Sequence, residues 1–201
     1  MTRSAITNTA IVALLTTLAV ASTSQADYMT YNGQPLKRSV TIHDPSVGIL
    51  NTNAGQFSIT YKGVDRFAYC TEITQTAGSM EATELPINTL PNYELVAYLM
   101  EQVAPANTND LAAAIQIALW EAIFEVGVLD ATSGSFWIEE AGIAGGANTL
   151  ISSFPGSYTP TAAFRLTNPT RQDMLIVPEP VTLSTLGIGA LGVILKRRNR
   201  K

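Results

Sequence analysis

The sequence predicts one α+β domain, with strands toward both ends and a central buried helix pair, followed by a separate C-terminal hydrophobic helix. Three observations carry this. Short runs alternate apolar and polar residues, as in Phe57, Ile59 and Tyr61, between Asn, Gly and Pro clusters such as Asn53-Ala54-Gly55. Two central segments repeat their apolar residues at helical spacing. Both ends carry an apolar run with flanking charge, unlike anything between them.

Taken in order, residues 1–26 read as a signal peptide. Arg3 gives a positive start, Ala10 to Ala21 form the apolar stretch, and Ser24-Gln25-Ala26 offers small residues for cleavage before Asp27. Strands are expected at Ser39 to Ile42, Gln56 to Tyr61, Phe67 to Ile73, Ala162 to Leu166 and Asp173 to Val177. The first helix starts at Pro91, a favoured first-turn residue, and gathers Leu95, Val96, Leu99, Met100 and Val103 on one side. The second starts at a cap, Asn109 or Asp110, and runs to about Val126 before Gly127. A short helix is expected over Asn148 to Ser153, and loops at Phe154 to Thr161 and Asn168 to Asp173.

Residues 178–201 have a different composition. Pro178-Glu179-Pro180 precedes an uncharged stretch, Val181 to Leu195, which closes on Lys196, Arg197, Arg198, Arg200 and Lys201. The basic cluster resists translocation, so this stretch reads as a short transmembrane helix with its basic end in the cytoplasm. The order of the three features resembles the PEP-CTERM sorting signal of Gram-negative bacteria. That resemblance implies an exosortase-type processing enzyme as partner. It also implies an inner-membrane intermediate, with delivery to the cell surface or extracellular matrix.

Between the ends lie residues 27–177, enough for one domain with a real core. They hold six Lys and Arg against fifteen Asp and Glu, an acidic balance that argues against nucleic acid as a partner. One histidine and one cysteine do not make a zinc site, and no phosphate or calcium loop is present, so no metal or cofactor is expected. Glu139-Glu140 reads as a solvated helix edge.

Cys70 is the only cysteine, and an odd cysteine in an exported chain calls for an explanation. The second helix holds the other oddity. In AAAIQIALWEAI, Gln116 falls on an apolar face with Trp120 one turn along, while Asp110, Glu121 and Glu125 mark a solvated edge. A buried carboxamide without partners costs on the order of 1–3 kcal/mol. One reaction would resolve both oddities: the Cys70 thiolate attacks the Gln116 side-chain carbonyl, ammonia leaves, and an internal thioester remains. Glu72, two residues along the same expected strand, shares the face of Cys70 and is the candidate proton acceptor. Taken singly, Cys70 also reads as a buried hydrophobe or an intermolecular disulfide partner, and Gln116 as an amide bonded to backbone.

Tyr69-Cys70-Thr71-Glu72, with the helix Ile115-Gln116-Ile117-Ala118-Leu119-Trp120, resembles the Cys-Gln thioester domains of bacterial surface proteins. The resemblance implies an adhesion module with Cys70 as thiol partner, Gln116 as acyl partner, and Tyr69 and Trp120 packing the pocket. The implied partner is an amine-bearing surface or matrix polymer or protein. The competing expectation is a noncovalent matrix or biofilm component with an inert Cys70. An enzyme is not expected, since His43 lies at a strand end entering a Pro turn and no feature activates Cys70 as a hydrolase nucleophile.

Overall fold

The computed structural model describes residues 27–177. The expected signal peptide, the Pro178-Glu179-Pro180 sorting signal and the C-terminal hydrophobic helix lie outside the described residues. Among the described residues, no helix is long and apolar enough to cross a membrane.

Among the described residues, seven strands and three α-helices give a sheet-rich α+β fold. Strands β1 (Asp27–Asp44), β2 (Gly48–Tyr61), β3 (Val64–Cys70) and β4 (Met80–Pro86) come first. Helix α1 (Tyr93–Tyr98) continues as one π turn, Leu99–Val103, and is followed by α2 (Asn109–Phe124). The short β5 (Trp137–Ile138), α3 (Ala141–Ser152), β6 (Phe164–Asn168) and β7 (Arg171–Ile176) complete the described residues. All the strand pairings are antiparallel, in the order β2-β3-β7-β6-β4-β1-β5. A further β1–β2 pairing closes six of the strands into a ring and leaves β5 attached to the end of β1.

Closure follows from two features of the first three strands. Strand β1 is long enough to pair with β4 through Asp27 to Met29 and with β2 through Met29 to Asp44. The β2–β3 connection is the two-residue turn Lys62-Gly63, both at positive φ, the backbone that matches strand twist in a tight hairpin. Directly opposed residues share a face. Met29 with Tyr61, Phe57 with Ala68, Ala68 with Ile176, and Leu166 and Cys70 with Met174 therefore line the inside, each 5% exposed or less. The outer face carries exposed Asp65, Glu81 and Thr83, but is covered at Tyr69 and Leu175.

The structure departs from expectation where backbone context outweighs local pattern. Strand β1 extends far beyond Ser39 to Ile42, because Gly33 and Pro35 are absorbed as register shifts instead of ending it. Strand β4 is an addition to the expected strands: Met80 and Ala82 face in while Glu81 and Thr83 face out, too short a run to stand out in the sequence. Strand β3 stops at Cys70, not Ile73. Asn168 to Asp173 contains the β6–β7 turn, with Asp173 inside β7. Helix α3 begins at Ala141, not Asn148, although Gly142, Gly145 and Gly146 disfavour a helix. Gly146 lets α3 approach α2 closely, since a Cβ there would stand a tight 3.1 Å from the Ala114 Cβ. The buried helix is α2, whose chief helical neighbour is α3, not the Pro91 helix.

Helix α2 is capped by Thr108, one residue before the expected caps, whose hydroxyl accepts from the Leu111 N–H. From Ala112 to Ala122 every residue is buried, so the body of this helix has no solvated edge, while Asn109 and Asp110 in its first turn are exposed, Asp110 as expected. Glu121 is fully buried and Glu125 is 8% exposed, which corrects their expected solvation. Glu125 instead accepts from the backbone N–H groups of Val126, Gly127, Ser135 and Phe136, tying down the loop after the helix. Glu139 and Glu140 lie just before α3 rather than on a helix edge, Glu139 exposed as expected and Glu140 half-buried. Glu139 meets His43 at 2.9 Å, and Glu140 accepts from the Thr41 N–H at 3.0 Å.

Candidate functional site

The end of β3 lacks an ordinary neighbour on one side. Pairing of β2 with β3 reaches only Phe57 and Ala68, because Gly55 is pressed against β1 so tightly that a Cβ would lie 2.1 Å from the Leu36 carbonyl oxygen. Toward β7, Cys70 is in register with Met174. Its own N–H and C=O point the other way, and a buried backbone pair must find partners. Helix α2 supplies them from one side chain.

The Gln116 carboxamide fills this place. The Cys70 N–H donates to Gln116 Oε1 at 3.1 Å, and Gln116 Nε2 donates to the Cys70 carbonyl oxygen at 2.8 Å. The Cys70 thiol also reaches Gln116 Oε1, with Sγ at 3.4 Å. Gln116 is fully buried and Cys70 is 2% exposed. Two residues 46 positions apart therefore place a nucleophilic sulfur against a polarised carbonyl, with the amide nitrogen held by a carbonyl acceptor.

Burial raises the Cys70 thiol well above its ordinary range, and the nearby Glu72 carboxylate adds to the rise. Opposing this are the backbone N–H groups of Cys70 and Glu72 and the indole N–H of Trp120, which favour the thiolate. Trp120 is 2% exposed, stands edge-on to Phe136 with ring centroids 6.4 Å apart, and its Nε1 has no hydrogen-bond partner of ordinary geometry.

Glu72 is not on the strand, so the face-sharing argument for it does not hold. The chain leaves the sheet after Thr71, whose N–H still donates to the Asp173 carbonyl. The Glu72 carbonyl accepts from Gln172 Nε2 at 2.5 Å, and Glu72 Oε2 is buried without a partner. Desolvation, then the charge of Asp173, raises the Glu72 carboxyl above its usual value. Arg165, 3.8 Å from Asp173, partly balances this pair. Tyr69 takes the opposite face of β3, where its hydroxyl donates to Gln56 Oε1 at 3.3 Å. It supports the strand but does not wall the sulfur.

His43 stacks on Trp137 at 3.7 Å and bonds Glu139, a set that shares no member with the surroundings of Cys70. An open cleft of about 470 Å³, between β2, β3 and the π turn, is lined by neither Cys70 nor Gln116. Among the described residues no cluster of three His, Cys, Asp or Glu side chains is arranged to hold a metal. Sequence reasoning missed the donor that matters most, the Cys70 backbone N–H, which no side-chain pattern signals.

Compared with protein-family models, with curated proteins and with solved structures, the chain matches none of them.

Proposed function

We propose that this is an exported surface or matrix protein whose domain forms an internal thioester between Cys70 and Gln116 and uses it to attach covalently to an amine-bearing partner. The observation that carries the reading is the contact of Cys70 Sγ with Gln116 Oε1 at 3.4 Å, both side chains buried. Closure joins Sγ to the Gln116 carboxamide carbon and breaks its C–N bond, and the thiol proton leaves with ammonia. The Cys70 N–H donates to the oxygen on which negative charge gathers, the role of an oxyanion-hole donor. Held proximity supplies the rest of the advantage.

An incoming amine then attacks the acyl carbon, the C–S bond breaks, and the sulfur takes up the proton that the nitrogen loses. The partner is left on the former Gln116 as a stable amide. The domain is consumed rather than regenerated, so it is not an enzyme. The tail of residues 178–201, with Pro178-Glu179-Pro180 and Arg197 and Arg198, serves as the sorting signal for an exosortase-type processing enzyme in this reading.

A second reading has an observation of its own. Gln116 is satisfied at both ends by Cys70 backbone atoms, and closure forfeits the bond from Nε2. A noncovalent matrix component would keep this pair as a structural clasp with an inert thiol. Intact mass separates the two. The covalent reading expects the protein to weigh one ammonia less than its sequence, to resist thiol alkylation, and to gain one methylamine on treatment. A full sequence mass with no methylamine uptake supports the clasp.

A further inference from the structure

The outer face of the β1–β2 hairpin is open to solvent where β5 joins it. His43 stands opposite Ile49 on one side and Trp137 on the other, so the three share this face, with Ile49 68% exposed. The indole lies flat on the imidazole, centroids 3.7 Å apart and planes 7° from parallel. Because β5 is the last strand of the order, no strand among the described residues stands beyond the far face of the indole. Further along the same face Thr41 is opposite Asn51, and Ser39 opposite Asn53. Each hydroxyl donates to the amide oxygen, at 3.0 and 3.3 Å, which leaves the NH2 groups of both exposed asparagines to solvent. A shallow depression of about 220 Å³ lies among these pairs and Glu140. Asparagine is a poor strand residue, so two on one face of β2 ask for a reason. From His43 to Ser39 the face runs roughly 14 Å, longer than one sugar ring.

We infer that this face docks a polysaccharide of amino sugars, with one ring stacked on Trp137, ring substituents accepting from the Asn51 and Asn53 amides, and a free ammonium meeting Glu139. The inference rests on the thioester reading and names the class of its partner. The apolar C–H face of a sugar ring matches an indole, and hydroxyl and N-acetyl oxygens match a row of uncharged N–H donors. Charge selects the amino sugar. Residues 27–177 hold six Lys and Arg against fifteen Asp and Glu, and Glu139, 54% exposed, stands at the Trp137 end, while Lys37 bounds the other. A cationic polymer is drawn to such a domain and a polyanion is repelled. A lysine-rich protein would feel the same field, but would leave the stacked ring and the amide pairs without a use. Two residues on from Asn53, β2 reaches Gly55, the point where it leaves β3 short of Cys70. Docking on this hairpin thus raises the local concentration of amines on the domain that holds the thioester pair.

The test titrates the full chain with a partly N-acetylated chitosan oligomer and reads binding by calorimetry. Cellopentaose, which has the rings without the amines, and poly-lysine, which has the amines without the rings, are the controls. Chitosan should bind more tightly than either. Trp137→Ala should weaken it roughly ten-fold or more, and so should the paired change Asn51→Ala with Asn53→Ala, which alters exposed side chains only. Thermal unfolding reports that each variant is folded. Cys70→Ala, which cannot form the thioester, should bind chitosan as wild type does. No binding to wild type, an affinity unchanged in both face variants, or a control bound as tightly as chitosan overturns the inference while the thioester stands. A wild-type protein that loses no ammonia and takes up no methylamine, yet binds chitosan through Trp137, overturns the thioester reading and keeps the docking face.

Discussion

Gln116 stands beside Cys70 as a neighbouring strand would, accepting its N–H at 3.1 Å and donating to its carbonyl at 2.8 Å. One carboxamide thus replaces a peptide group at the place where β2 has turned away. The two side chains are then unequal in what their removal leaves behind.

Substituting Gln116 with Leu strands two buried backbone groups, and each unpaired group costs about 1–3 kcal/mol. Cys70→Ala leaves both bonds in place and removes only a small buried group, at about 1–2 kcal/mol. Denaturant unfolding should rank Gln116→Leu as the more damaging change by about 2 kcal/mol or more. Equal losses would show that the backbone pair is not what Gln116 supports.

Stability should fall as pH rises from 4.5 to 7, because of Glu121. Burial first, then the charges of Glu125 and Asp130, raise its carboxyl from 4.5 to about 7, against one opposing N–H bond from Asp130. The unfolded chain therefore loses this proton before the folded one does. The stabilisation is whole below 4.5, shrinks across the window, and is gone above about 7, a swing of roughly 3 kcal/mol. Glu121→Gln keeps the carboxamide oxygen for the Asp130 N–H and removes the titration. Its unfolding free energy should lack this slope, and a slope equal to wild type would clear Glu121 of the effect.

Glu125 binds the chain from Val126 to Phe136 through four backbone N–H groups, which also hold its carboxyl below the usual range. In Glu125→Ala, hydrogen exchange at Gly127, Ser135 and Phe136 should accelerate strongly while the β3 and β7 amides keep their protection. Uniform acceleration would mean global destabilisation instead.

Gln172 latches the segment after Cys70, donating to the Glu72 carbonyl at 2.5 Å, and its own N–H reaches the Thr76 carbonyl at 3.3 Å. Since Cys70 and Gln116 are buried, an amine attacking the proposed thioester must wait for local opening. Gln172→Ala should quicken methylamine capture severalfold with little change in global stability. Capture slowed, or left at the wild-type rate, would place the access route elsewhere.

Some of this was legible in the residues themselves. Alternation at Phe57, Ile59 and Tyr61 marked β2, and helical spacing marked α2, because a strand or helix that buries one face must repeat its apolar residues at its own period. Gln116 drew notice for the same reason, as a carboxamide where the period demanded an apolar residue. Glu121 and Glu125 misled. Charge predicts solvent only where the surroundings offer nothing better, and here the Asp130 N–H and the loop amides of Val126 to Phe136 offered it.

By itself the sequence determined which segments could be strand or helix, and that one thiol and one misplaced carboxamide each needed a partner, since those are properties of residue type and local spacing. That β1 closes a ring, that β3 ends at Cys70 rather than at Ile73, and that this end turns its backbone toward Gln116 were decided only by the tertiary structure. Strand register and the satisfaction of backbone groups depend on neighbours far along the chain, and no local pattern records which neighbour will be there.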